Sequence, residues 1–513
     1  MRLRFLLCLA AGVAFALGFP PYGLAPLLPV ALACLVGAVR GRSVWAGAAL
    51  GGAFGVGFFG LLLAWLRVIG VDAWVALALF ESLYLAAVGA GLAVVTRLRG
   101  WPVWAAALWL AGEVVRGEVP WGGLTWGRAV FATVDTPYAN WLPWIGANGV
   151  SLLVALSGTG LLWVVLAARR RRVAAALVAA GAVLVLLAPW PLGPPGERSG
   201  STTVAVVQGD VPGTGTELVL NHREVTRNHV ELTEDLAARV AGGEEQAPDW
   251  VLWPENSTAV DPFRDEDTRE GIADAVDAVG VPLVVGAIAD APDPDEVLNQ
   301  SIVHHPGGTV GDRYTKRHPV PFGEYVPLRG LLTRLGFTDV GRLALIPRDM
   351  VAGTDREPLH VDGAAVAAAI CFDVSYDDVF ADQVRAGAET LVVQTSNALF
   401  IHTGQIEQQF AISRLRAQET GRALTVAAVN GRSGVIGPDG EVLHALPVRT
   451  SAVLVADVPL VRGTPPSVVV GPWLGRASLL AGLAVLVAGG LAYRREPDQG
   501  TRASGQEQSG GAA

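Results

Sequence analysis

RRRRVAAALVAAGAVLVLLAPWPLGPPGERSGSTTVAVVQGD, residues 169–210, runs through three kinds of chain in succession. Four arginines open it, and a charge-free run over 173–190 follows. A proline- and glycine-rich linker then leads into TVAVVQGD (203–210), a short β-branched run of the kind that forms a buried strand. The apolar run approaches the roughly 20 residues that a helix needs to cross a bilayer core about 30 Å thick. The strand, by contrast, opens a long stretch of ordinary charge content. The chain changes solvent here, and reading outward from this point separates a membrane region from a water-facing region.

Toward the N-terminus the apolar runs recur over 5–17, 25–39, 44–66, 73–95, 103–115 and 141–168, and beyond the water-facing region another covers 473–493. MRLRFLLCLAAGVAFALG has the look of a secretory leader, but six more spans follow and no clear small-residue cleavage site appears, so it reads as the first span. Arginines fill every second connection: Arg2 and Arg4, Arg40 and Arg42, Arg97 and Arg99, the four at 169–172, then Arg494 and Arg495. Such loops stay cytoplasmic. Seven spans therefore put the water-facing region outside, and the eighth returns the C-terminus to the cytoplasm. The organisation expected is a seven-span membrane domain (1–193), a linker (194–201), an extracytoplasmic domain (202–462), an eighth membrane helix (470–493) and a disordered cytoplasmic tail (494–513) poor in apolar residues. The whole chain is 51% hydrophobic and only 17% charged, below the roughly 25% of soluble domains. A net charge of −9 without a basic, aromatic-laced patch excludes nucleic acid as a partner.

In the water-facing region strands alternate with helices. DWVLWPEN (249–256), VPLVVGAIAD (281–290), AAVAAAICFD (364–373), TLVVQTSN (390–397) and LTVAAVN (424–430) read as strands. Residues 222–243, 264–280 and 405–422 read as amphipathic helices, and GVIGPDGEVL (434–443) as a hairpin. The alternation indicates a layered α/β domain. No repeat, phosphate-binding glycine loop or metal-ligand cluster stands out, and no cofactor or metal is called for. His304 and His305 are adjacent and point to opposite faces of a strand, so they are not expected to share a metal.

One lysine occurs in the chain against 37 arginines: Lys316, in YTKRHPVPFGEYVP (314–327). Ion pairs and topology signals accept arginine, whereas a reacting atom approached by a compact point charge requires lysine. Cys371 is the lone cysteine of the outer domain; Cys8 and Cys34 sit in apolar runs as small apolar residues. Glu255, Lys316 and Cys371 each close a strand, so the strands deliver them to one rim. Together they form an acyl-transfer set. Glu255 takes the thiol proton, and the Cys371 thiolate attacks. Lys316 faces the developing oxyanion with a backbone N–H after Cys371.

The blocks WPENS (253–257), YTKRHPVPFGEYVP and ICFD (370–373) resemble the three signature blocks of the nitrilase, or carbon–nitrogen hydrolase, superfamily. Joined to seven-plus-one membrane spans, they resemble the apolipoprotein N-acyltransferase family, as do GFPPYG (18–23), PWGGL (120–124) and the set Trp109, Glu113, Arg116. The resemblance implies an α-β-β-α sandwich and a ping-pong reaction in a bacterial inner membrane. Cys371 would take an acyl chain from a phospholipid as a thioester. The α-amino group of a diacylglyceryl-cysteine apolipoprotein would then receive it. Glu255, Lys316 and Cys371 match the family's base, oxyanion-stabilising lysine and nucleophile. Glu324 matches a supporting glutamate; Phe372, Asp373 and Asn397 fall at supporting positions. The chain departs from the family at Phe372-Asp373, where Tyr-Glu is common, and at NALF (397–400), which lacks an aspartate.

LRGLLTRLGF (328–337) spaces Leu328, Leu331, Leu332 and Leu335 along one helix face, and ALFI (398–401) adds Leu399 and Phe400. Both segments are expected to lie on the bilayer and gate an acyl-chain groove, or else to pack on the domain core. Glu81, Glu113 and Arg116 lie in or near spans, where ionisable groups tend to be functional; Glu113 and Arg116 could equally form a structural helix pair. Two other readings compete: a membrane-tethered amidase that uses water as acceptor, and a lipid binder on a decayed enzyme scaffold. The complete Glu/Lys/Cys set disfavours the second. Nothing calls for more than a monomer.

Overall fold

The computed structural model describes residues 1–168, 172–189, 195–218, 220–258, 260–336 and 343–495. Three of the four arginines at 169–172, most of the linker's proline run and the tail beyond 495 lie outside the described residues. Seven apolar helices come first: α1 (Arg2–Ala16), α2 (Leu27–Val39), α3 (Val44–Leu62), α4 (Val71–Val95), α5 (Trp101–Glu118), α6 (Leu142–Ala168) and α7 (Arg172–Leu187). An eighth, α13 (Pro466–Arg495), ends the described chain and packs against α4, α5 and α6. Each of the eight expected runs is a helix. Four segments, Val44–Leu62, Val71–Val95, Ala139–Ala168 and Pro466–Leu491, are long and apolar enough to cross a bilayer. Small residues allow the helices to meet closely. Gly47, Gly51 and Gly89 bring α3 and α4 into backbone contact: a Cβ on Gly51 would lie 2.1 Å from Leu85 O.

The outer domain follows in the order β1 (Glu197–Gln208), α8 (His222–Ala241), β2 (Trp250–Leu252), α9 (Glu266–Val279), β3 (Leu283–Asp290), β4 (Glu296–His304), β5 (Val310–Thr315), α10 (Arg329–Arg334), β6 (Asp349–Met350), β7 (Leu359–Val361), β8 (Ala364–Ile370), α11 (Asp377–Arg385), β9 (Thr390–Thr395), α12 (Gln405–Thr420), β10 (Leu424–Ala428), β11 (Gly434–Ile436), β12 (Val442–Ala445) and β13 (Ala452–Arg462). One sheet runs β13-β1-β2-β3-β4-β5 with β6 beside β4; the other runs β12-β11-β10-β9-β8-β7.

Period-two alternation decides what each sheet face touches. Along β1, Val204 and Val206 enter the core shared with the second sheet, where Ile370, Val392 and Val426 lie. Ala205 and Val207 turn the other way, under Leu236 of α8 and Ile272 and Val276 of α9. Helices α11 and α12 cover the outer face of the second sheet. The result is the α-β-β-α sandwich that the resemblance implies. Strands β1, β2 and β3 run parallel, as do β8, β9 and β10, so their C-terminal ends share an edge in each sheet. The hairpin of β11 and β12 and the helices at 222–241, 266–279 and 405–420 lie where the sequence pattern puts them.

A polar seam joins the sandwich to the helices. The Thr125 hydroxyl donates to Ser375 (2.6 Å), Tyr376 to the Gly123 carbonyl (3.0 Å), and Arg128 to Asp377 (2.7 Å). Buried Arg416 of α12 donates to Asp377 (2.9 Å), to the Val374 and Ser375 carbonyls and to Glu419. Glu419 in turn receives the Ala147 amide (2.7 Å), which is turned outward by the kink at Gly146, φ 66°. Gln408 accepts from both Trp65 and Trp126 and donates to the Pro20 carbonyl.

Candidate active site

Cys371 stands one residue past β8, at the entry to a 3-10 turn that runs to Ser375, with φ 53°. A side chain in this left-handed region is strained, and such strain gathers at functional turns. The turn that carries Cys371 is the same segment that the seam grips through Val374, Ser375 and Tyr376.

Glu255 lies three residues past β2 and is buried. Its Oε1 accepts from Asn299 Nδ2 (2.8 Å) and faces Lys316 Nζ at 3.3 Å; its Oε2 accepts from the Ser396 amide (3.0 Å). Lys316, just past β5, is 0% exposed, and its Nζ reaches Glu324 Oε1 at 2.5 Å. Glu324 Oε2 takes the Val320 amide (2.8 Å). One ammonium is thus shared by two carboxylates. Burial alone would depress Lys316, but the charges of Glu324 and Glu255 more than offset it and hold its pKa well above the usual value. Burial raises Glu324, with Lys316 opposing and Glu255 adding. The Cys371 thiol is pushed up to about 12, chiefly by burial and then by the Glu255 charge, with Lys316 acting against both. At rest, then, Cys371 is a neutral thiol beside an ordered carboxylate.

Asp373 has a clear structural role despite the shorter side chain. It accepts from Tyr314 OH (2.8 Å), the His318 amide (2.8 Å) and the Arg317 amide (3.3 Å). It therefore fastens the residues that follow Lys316 to the turn that carries Cys371. Phe372 stacks on Trp126, with ring centroids 6.1 Å apart. Asn397 donates to Gln405 (3.2 Å) and Gln409 (2.6 Å).

Cys371 opens onto a cavity of about 620 Å³ between the sandwich and the helices, within the range of ligand sites. Its wall is largely apolar, from Leu63, Leu66, Ala73, Leu77 and Phe80 to Phe322 and Phe372. Aromatic contacts bridge its rim: Trp65 on Phe400 and Trp121 on Phe322, each edge to face. Of the expected gating residues Phe400 lines the cavity, whereas Leu331, Leu335 and Leu399 are more than half exposed and lie outside its lining. The leucine helix is also shorter than its spacing suggests, because Leu328 takes a left-handed conformation (φ 56°) and stands outside it. Glu81 lines the cavity and pairs with Arg116 (3.2 Å); Glu113 instead accepts from Trp109 and the Ala129 amide, so the pairing of Glu113 with Arg116 is not the one formed. Asn299, Thr395 and Gln409 were not singled out by sequence pattern. They are ordinary polar residues of strands β4 and β9 and helix α12 and carry no spacing signal.

Residues 11–160 match the family model described as the apolipoprotein N-acyltransferase N-terminal domain, and residues 203–465 match carbon-nitrogen hydrolase. An apolipoprotein N-acyltransferase of Mycolicibacterium smegmatis is 35% identical, the match covering 93% of this chain and 84% of that protein. One from Ralstonia nicotianae is 34% identical over 96% of this chain and 94% of its own length. Among solved structures, Saccharomyces cerevisiae Nit3, a nitrilase superfamily member, is 15% identical with a TM-score of 0.37, covering 51% of this chain and 91% of its own. The chain is a membrane protein and an acyltransferase that acts in lipoprotein N-acylation. By its two matched domains and its relatives over nearly the whole length, it belongs to the apolipoprotein N-acyltransferase family.

Proposed function

We propose that Cys371 carries the acyl group as a thioester taken from a membrane phospholipid and passed to the α-amino group of a diacylglyceryl-cysteine. The observation that carries this reading is the opening of a half-buried thiol, near buried Glu255 and Lys316, onto an apolar cavity at the helix–sandwich junction. A thiol held near 12 requires a base at the moment of attack. Glu255 takes the Sγ proton as sulfur bonds to the ester carbonyl carbon, and Lys316 faces the oxygen that becomes negative. Collapse breaks the carbon–oxygen ester bond. The departing glycerol oxygen takes the proton from Glu255 and leaves as a lysophospholipid. In the second half the amine attacks the thioester, Glu255 takes the amine proton and returns it to sulfur, and the amide departs. Glu324 keeps Lys316 charged and in place. Phe372, Asp373 and Asn397 position the turn and the loop beside it, and Phe400 with Leu331, Leu335 and Leu399 forms the apolar approach. A single protomer supplies every group named.

The spans are read as multi-pass in a bacterial inner membrane, with 1–193 as the helical domain, the catalytic domain of 202–462 outside and both termini inside. Labelled-acyl phospholipid should place hydroxylamine-labile label on the wild type and none on Cys371→Ala. A diacylglyceryl-cysteine peptide should then carry the label off in amide linkage. Release of label to water alone would instead make the protein a hydrolase. In intact cells of a Cys371→Ala background, a membrane-impermeant maleimide should modify Glu244→Cys and spare Arg99→Cys; the reverse pattern would invert the topology.

A further inference from the structure

Besides its tryptophans, the acyl cavity shows four polar side chains: Glu81, Cys371, Gln405 and Gln409. The Trp65 and Trp126 N–H groups are engaged by Gln408, and Glu81 is held by Arg116. Gln409 differs from these. It is 3% exposed, and its Oε1 receives three donors: Asn397 Nδ2 (2.6 Å), Gln405 Nε2 (3.2 Å) and Thr395 Oγ1 (3.3 Å). An amide oxygen so occupied fixes which way the amide faces. Its Nε2 meets no partner among the described residues. A buried amide N–H without an acceptor is rare in native proteins and calls for a reason. Thr395, which bonds Gln409, ends β9 beside the point where β8 delivers Cys371, the preceding residues Gln394 and Ile370 being paired. Gln409 and Cys371 line the same cavity.

An acyl chain drawn into this cavity has a single polar point, the ester, and it must stop at Cys371. Lys316 is already shared between Glu255 and Glu324. Resting on the reading of Cys371 as the acylated residue, we propose that Gln409 Nε2 donates a hydrogen bond to the carbonyl oxygen of the reacting lipid ester, making Gln409 a further catalytic residue beside Lys316. The bond strengthens as that oxygen gains charge, so its effect falls on the acylation step rather than on lipid binding. Asn397, Gln405 and Thr395 act through Gln409 as positioning residues.

The test compares a phospholipid bearing an ordinary ester with one bearing a thionoester, whose sulfur is a poor acceptor, at the transferred chain. Acylation of Cys371 is timed for both donors in wild type and in Gln409→Met. Gln409→Glu is the substitute if Gln409→Met fails to fold, because it keeps the shape and the oxygen that the three donors use. The expected result is a loss of about 10- to 100-fold in acylation rate with the ester, little change in half-saturating lipid, and a fall of at least about tenfold in the oxygen-over-sulfur preference. A merely structural role would slow both donors alike and leave that preference unchanged, which overturns the assignment. Absence of label on wild-type Cys371 would sink the reading of the site itself; label present with an unchanged preference sinks only the role of Gln409.

Discussion

The thiol of Cys371 is buried beside one carboxylate and one ammonium, and burial together with the carboxylate outweighs the ammonium. The sign matters for reactivity. A group held at about 12 is deprotonated in roughly one molecule in 10⁴ at pH 8, and that fraction grows tenfold with each pH unit. Alkylation by iodoacetamide should therefore climb steadily between pH 7 and 10 without levelling; a plateau near pH 8 to 9, where ordinary thiols titrate, would show that the site does not hold the proton. Glu255→Gln should move two readouts in opposite directions. Acyl transfer falls with loss of the base, whereas alkylation at pH 8 quickens because the charge that raises the thiol pKa has gone.

At the scale of elements, the side chains of Glu255 and Lys316 depend on backbone that approaches other backbone. Gly353 donates its amide to the Lys316 carbonyl (2.8 Å), and a Cβ there would lie 2.2 Å from Thr315 O. Gly286 of β3 backs Glu255 in the same way, with a Cβ 2.2 Å from Pro254 O. Gly353→Ala should cost about 1–3 kcal/mol of stability and displace the lysine, lowering acylation, while Gly330→Ala, whose Cβ meets nothing within 4 Å, should change neither. Equal behaviour of the two variants in thermal unfolding and acylation would refute this. The same elements explain what the sequence could disclose. Strands β8 and β10 are nearly unbroken apolar runs, β9 is apolar at its centre, and the end of β8 points to Cys371, whereas Asn397 is legible only through the family resemblance. Strand β4 is as buried, yet it spells EVLNQSIVH, because Asn299 serves Glu255 and Ser301 bonds Gln394 across the two sheets. Polar residues placed for the site hide the strand from any hydropathy pattern. Strand β13 is masked differently: Pro459 interrupts it, which an edge strand tolerates. Helix α11, from Asp377 to Arg385, is too short for its period to declare itself.

The molecule as a whole is held by the seam between helices and sandwich, which grips the turn that carries Cys371. Burial would raise Asp377, but Arg128 and Arg416 hold its carboxyl at about 2, so the cluster stays ionised. Arg416→Met would leave the Val374 and Ser375 carbonyls without their donor and take a charge partner from Asp377, which keeps Arg128, and from Glu419, which keeps the Ala147 amide. The expected loss is about 3–5 kcal/mol in thermal unfolding in detergent, together with slower acylation of Cys371. Unaltered unfolding would mean that the seam is dispensable. The sandwich also enters and leaves the helices at one point, for Glu197 of β1 pairs with Arg462 of β13, and only then does α13 return to α4, α5 and α6. The ribosome must therefore deliver the entire sandwich before the last helix exists. At about 5–20 residues per second, the roughly 265 residues between those two positions take on the order of 13–50 s. For that interval helices α4, α5 and α6 keep an unfilled side, and something other than the chain's own last helix stands where α13 will later sit.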